Sequence, residues 1–144
     1  MKRILCITFL LVTVALLCGC TTTTPVNDAA IVRPPVLIGN WTGPMNAYVE
    51  GVGYTDFQGE TITLLVTEQH DRIFSGTLYF LPAEPGDVPQ EFAGVIDRDG
   101  RTFRLVEEGG YSTGTLVSPD EMDVIYLDTT KPFSVAIDSL KRTR

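Results

Sequence analysis

The stretch that decides the fold is Thr61-Ile62-Thr63-Leu64-Leu65-Val66-Thr67, answered a few residues later by Phe74-Ser75-Gly76-Thr77-Leu78-Tyr79-Phe80. In the first, Ile62, Leu64 and Val66 fall on one side and Thr61, Thr63 and Thr67 on the other. In the second, Phe74, Leu78 and Phe80 oppose Ser75, Thr77 and Tyr79. An apolar period of two belongs to a strand with one buried and one wet face, whereas a helix repeats near 3.6. Working outward, the same period recurs in Phe92 and Ile96, in Phe103 and Leu105, at Leu116, in Met122, Val124 and Tyr126, and in Phe133, Val135 and Ile137. These sets are expected to supply the inner face.

Turn-forming residues separate the runs: Glu68-Gln69-His70-Asp71, Asp97-Arg98-Asp99-Gly100, Glu108-Gly109-Gly110, Ser118-Pro119-Asp120 and Asp128-Thr129-Thr130-Lys131-Pro132. Their Gly, Pro, Asp and Thr tolerate tight backbone reversals. Counting from Leu37 predicts about eight strands with short connections and two looser links, Gly51 to Gly59 and Pro82 to Pro89. The fold class is all-β. Closing such a meander removes its unpaired edges, so an antiparallel up-and-down barrel is favoured over an open sandwich.

The 144-residue chain has room for one such domain. Ahead of it, Lys2 and Arg3 precede an apolar run from Ile4 to Leu17 interrupted by Thr8 and Thr13. The run is short for a membrane-spanning helix and leads into small residues, the pattern of a signal peptide. Leu17-Cys18-Gly19-Cys20 resembles a lipobox, which implies cleavage before Cys20 and a lipid on its thiol. The expected organisation is a signal-peptide helix over residues 1–19, a lipidated Cys20 with a disordered Thr/Pro-rich tether over 20–35, and a barrel over 36–144. The product would be exported and held at the cell membrane, facing outside the cytoplasm. Cys6 and Cys18 fall in the discarded segment, so no disulfide supports the domain and its core must suffice.

Cleavage removes Lys2 and Arg3 and no acid, leaving 9 basic against 18 acidic residues, a net charge of −9. That balance opposes binding to a phosphate backbone and excludes nucleic acid as a partner.

Gly39-Asn40-Trp41 opens the first strand and Lys141-Arg142 closes the last. This pairing resembles the calycin superfamily of lipocalins, fatty-acid-binding proteins and avidins. The resemblance implies that Gly39, Trp41 and Arg142 form a plug at the narrow end, with a cation resting on the indole. Biotin cages of the avidin kind use several tryptophans, and this chain has only Trp41, which argues against biotin. Residues 38 to 137 are also similar to short exported proteins of methanogenic archaea, through Gly39-Asn40-Trp41-Thr42-Gly43-Pro44, Gly53-Tyr54-Thr55-Asp56, Phe74-Ser75-Gly76 and Phe92-Ala93-Gly94. Ser75-Gly76-Thr77-Leu78-Tyr79 resembles a motif of membrane-bound lysozyme inhibitors, although their second, lysine-containing motif is absent.

Candidate chemistry is sparse. His70 is the sole histidine and sits in a predicted turn, where water offers nothing to tune its pKa. Ser75 is the nearest serine after strand pairing, with nothing beyond proximity to make it a nucleophile. One histidine and one lipidated cysteine are too few for zinc, and Asp97-Arg98-Asp99-Gly100 lacks the later ligands of a calcium loop. Gly51-Val52-Gly53 is not followed by the residues of a phosphate loop. Asn40-Trp41-Thr42 fits the glycosylation sequon. Tyr48, Tyr54, Tyr79, Tyr111 and Tyr126 are amphipathic rings able to line a pocket.

The expectation is therefore a lipid-anchored, non-catalytic binding or interaction module without metal or cofactor, whose partner is a small apolar ligand or an envelope protein. One competing reading is an inhibitor of a wall-degrading enzyme or protease. Another is an enzyme with a tyrosine and carboxylate site, its mouth formed by the two looser links and its residues including Glu60 and Tyr79.

Overall fold

The computed structural model describes residues 33–83 and 88–143. The expected signal peptide, the lipidation site Cys20 and most of the tether lie outside the described residues. The strands are β1 (Gly39–Val49), β2 (Gly53–Thr55), β3 (Thr61–His70), β4 (Ile73–Leu81), β5 (Gln90–Ile96), β6 (Thr102–Glu107), β7 (Gly110–Ser118), β8 (Glu121–Asp128) and β9 (Ser134–Thr143). From β3 onward each strand pairs antiparallel with the next. β1 pairs with β3 on one edge and with β9 on the other, from Asn40↔Thr143 to Val49↔Ser134. The sheet therefore closes on itself as an eight-strand up-and-down barrel. The remaining strand, β2, is a short hairpin return lying on β1 beyond the end of β3, through Ala47↔Thr55 to Val49↔Gly53.

The turns are tighter than the sequence suggests. β3 runs through His70, and the reversal falls at Asp71 with a positive φ of 53°. The Glu108-Gly109 turn likewise uses Gly109 at φ 92°, a conformation open to glycine without steric cost.

One end of the barrel is solid. Trp41, Phe74, Ile96, Phe103 and Leu140 are buried there. Phe74 meets Phe92 and Phe103 edge-on at 6.1 and 5.8 Å, pairs worth about 1 kcal/mol each beyond the area they cover. Glycines make room for these rings: a Cβ on Gly114 would run into the Phe103 ring, and one on Gly94 into the Phe74 ring. The chain approaching β1 is sewn under this end. Leu37 is buried, its N–H donates to Gln69 Oε1 at 2.8 Å, and its carbonyl accepts from Trp41 Nε1 at 2.7 Å. Every described strand and the whole described core fall between residues 37 and 143, so the barrel carries its own core and is a folding unit by itself.

The final strand corrects the sequence reading. Phe133, Val135 and Ile137, expected to face inward, are exposed, while Ala136, Asp138 and Leu140 are buried. Period two fixes that alternate residues share a face but not which face is inside; closure against β1, with Met45↔Asp138 and Ala47↔Ala136 in register, decides that. Outside, Val135 neighbours Tyr48 and Leu127, and Ile137 neighbours Ile125. Tyr48 stacks on Phe133 at 6.5 Å, and an apolar outer face covers β8, β9 and β1.

Candidate functional site

Inward positions are odd on β1 and even on β3 to β9 apart from β6, so each strand's inner series can be followed from the solid end to the open one. On β9 it runs Leu140, Asp138, Ala136, Ser134; on β7, Leu116, Gly114, Ser112, Gly110; on β6, Phe103, Leu105, Glu107. At the solid end large side chains fill the section, whereas midway Asp138, Ser112 and Ala136 are too short to meet. The result is a cavity of about 490 Å³ opening at the other end, within the usual span of small-molecule pockets.

Its two walls differ. β1, β3 and β4 contribute Met45, Ala47, Val49, Ile62, Leu64, Leu78 and Phe80, whereas β6 to β9 contribute Glu107, Ser112, Tyr126, Asp128, Ser134 and Asp138 among Leu105, Val124 and Ala136. Glu60, Gln90 and Phe57 stand at the mouth. Phe57 is held at φ 43°, in a turn closed by the Glu60 N–H donating to the Phe57 carbonyl at 2.8 Å. A left-handed aromatic residue costs backbone energy and is retained where its ring position is useful.

Asp138 is the unusual group. Its side chain is 2 % exposed and Oδ1 has no hydrogen-bond partner among the described residues. Burial, with the neighbouring Glu107 charge adding to it, pushes its carboxyl up to about 7. Burial also raises Glu107, against the hydrogen bond that Ser112 Oγ donates to its Oε1 at 3.0 Å. Tyr126 is raised by burial and by the charges of Asp128 and Glu107.

Of the five tyrosines singled out in the sequence, Tyr126 alone lines this cavity among the described residues. Tyr48, Tyr54 and Tyr111 are exposed, with the Tyr54 hydroxyl on Asn46 Oδ1 at 3.0 Å, and Tyr79 alternates outward between Leu78 and Phe80. Trp41 is fully buried at the solid end with the Arg142 guanidinium 4.1 Å from its ring centroid. That guanidinium donates to the carbonyls of Ile38 and Val36, each at 2.7 Å, and pairs with Asp120 at 3.1 Å; Gly39 precedes them at φ 128° with Arg142 Nη1 close by. Asn40 points outward. His70 is exposed and faces Glu68 at 2.8 Å, and Ser75 pairs with Glu68 rather than with His70. In the Asp97 to Gly100 turn, Asp99 accepts from Thr102 and from two backbone N–H groups, which holds its carboxyl down to about 2. No group of three or more metal-ligating side chains gathers among the described residues.

Sequence reasoning missed Asp138, Glu107 and Ser112. The available signal was an acid in strand register, Ala136-Ile137-Asp138, on a face assigned to solvent.

No family model matches the chain, and no curated protein does. Among solved structures it is similar to the S-type phycobiliprotein lyase of Guillardia theta, at 9% identity and a TM-score of 0.47, over 75% of this chain and 89% of that one. The expectation of a non-catalytic domain is corrected here. The barrel buries a carboxyl that desolvation and the neighbouring Glu107 charge push up to about 7, a group suited to proton transfer. The assignment as a non-enzyme is withdrawn.

Proposed function

We propose that the protein is an exported barrel, lipid-anchored at the cell membrane through Cys20, that holds a small ligand in its interior. The cavity of about 490 Å³, open at one end and walled on one side by aliphatic and aromatic groups, carries the reading. It is large enough to enclose most of a small molecule, and its few polar groups are concentrated on one wall, the usual arrangement for orienting a ligand. The anchor rests on Leu17-Cys18-Gly19-Cys20 following an apolar run. The test for binding is native mass spectrometry of residues 26–144 purified without detergent from rich medium, followed by titration with an apolar fluorescent dye. A co-purifying molecule, or dye uptake that Ile62→Trp abolishes by filling the cavity, is the expected result; failure to take up any apolar probe at millimolar concentration defeats the reading. For the anchor, Cys20→Ser is expected to move the protein from the membrane to the soluble fraction.

A second reading, an enzyme with a tyrosine and carboxylate site, is favoured by Asp138. A carboxyl brought to about 7 in the same cavity as the Ser112–Glu107 hydrogen bond and Tyr126 is suited to general acid and base work on a bound molecule. Turnover in a substrate screen that vanishes with Asp138→Asn while dye uptake persists would establish it.

A further inference from the structure

The cavity is polarised in charge as well as in polarity. Its lining includes Glu60, Glu107, Glu108, Asp128 and Asp138, and no Lys, Arg or His among the described residues. At the rim, Lys131 is turned to Glu50, with Nζ 2.8 Å from Oε1. An anionic ligand would meet uncompensated like charge. A buried carboxylate oxygen without a donor is costly, and Asp138 Oδ1 is such an atom, set midway down the cavity. What it lacks is a donor, and the charge that would also relieve Glu107 is a positive one. A bare metal ion wants several oxygen ligands around a point, and the described residues provide no such group. The opposite wall, with Ile62, Leu64, Leu78 and Phe80, asks for a hydrocarbon body.

We infer that the ligand is an organic amine, whose ammonium N–H donates to Asp138 Oδ1 beside Glu107 while its apolar body lies against β3 and β4. The inference rests on the ligand-cavity reading above and names the ligand class for that site. Binding draws Asp138 into its ionised form. Amine affinity therefore rises with pH, by about tenfold from pH 6 to pH 8 for a carboxyl near 7, while the amine itself stays protonated. The polar and titratable groups that line the cavity with Asp138 are Glu107 on β6, Glu108 in the turn after it, Ser112 on β7, Tyr126 and Asp128 on β8, Ser134 on β9, and Glu60 and Gln90 at the mouth; β1, β3 and β4 bring only apolar groups.

The experiment is isothermal titration of residues 26–144 with octylamine, octanol and octanoate, which share a body and differ in head group. Octylamine is expected to bind at least tenfold more tightly than octanol at pH 8, and octanoate more weakly than either. Asp138→Asn should cost the amine about thirtyfold and leave octanol unchanged. Should that variant not fold, Glu107→Gln provides the same comparison with a smaller loss. Octanol binding as tightly as octylamine, or octanoate most tightly, overturns the amine inference while the ligand cavity stands. If none of the three binds, the cavity reading falls and the inference with it.

Discussion

Replacing Asp138 by Asn tests whether the barrel truly buries an acid. In the folded chain its carboxyl sits at about 7 against an ordinary 3.8. The fold thus holds a proton that the unfolded chain has released across the window from about pH 4 to 7, and stability falls as pH rises through it. Above pH 7 the penalty is constant. Three units at 1.36 kcal/mol each amount to about 4 kcal/mol. Asn removes that charge but brings an amide N–H pair that must find acceptors in the same place, at a cost of about 2 kcal/mol. The net gain at pH 8 is about 2 kcal/mol, or a Tm rise of about 8 °C for a domain of this size. At pH 4 the carboxyl is neutral in the fold, so the gain vanishes and the amide cost leaves the variant less stable than the parent. Melting curves of both proteins at pH 4 and pH 8, followed by circular dichroism, read the difference directly. An offset of equal size at the two pH values would refute the argument, because Asp138 would then be ionised in the fold without penalty.

Other perturbations probe the rest of the structure. Glu107→Gln removes the neighbouring charge that helps raise Asp138, so carbon-13 NMR of the Asp138 carboxyl should show its titration midpoint moving toward lower pH. Gly114→Ala places a methyl against the Phe103 ring; overpacking of this kind costs about 1–3 kcal/mol, which chemical denaturation would register as a lower midpoint. Arg142→Ala strips the cation from Trp41 together with its hydrogen bonds to Val36 and Ile38. A loss of about 3 kcal/mol is expected, with a red-shifted Trp41 emission as water reaches the indole, and Arg142→Lys should not restore it because an ammonium lacks the planar fork.

The apolar alternation of Ile62, Leu64 and Val66, and of Phe74, Leu78 and Phe80, is a local property of the chain. A pleated strand forces neighbours to opposite faces, so such a pattern declares both the strand and its inner side when the other face is plainly polar. The turns between the strands are local as well, which is why an antiparallel meander of about eight strands was legible. The last strand was not legible in the same way. Both of its faces carry apolar residues, Val135 and Ile137 on one and Ala136 and Leu140 on the other, and hydrophobicity alone gave the larger set to the interior.

What the sequence by itself determined is the all-β class, the strand spacing and the acidity of the domain, because these follow from nearest neighbours along the chain and from composition. What only the tertiary structure decided is the cavity and its chemistry. Glu107, Ser112, Tyr126 and Asp138 lie on four different strands, and the register of closure between β1 and β9 sets that Asp138 turns inward. Whether the interior is solid or hollow depends on the summed size of side chains meeting at each level of the barrel: Trp41, Phe74 and Phe103 meet at one level, and Asp138, Ser112 and Ala136 leave space at another. That sum runs across the barrel rather than along the chain, and no window of sequence contains it.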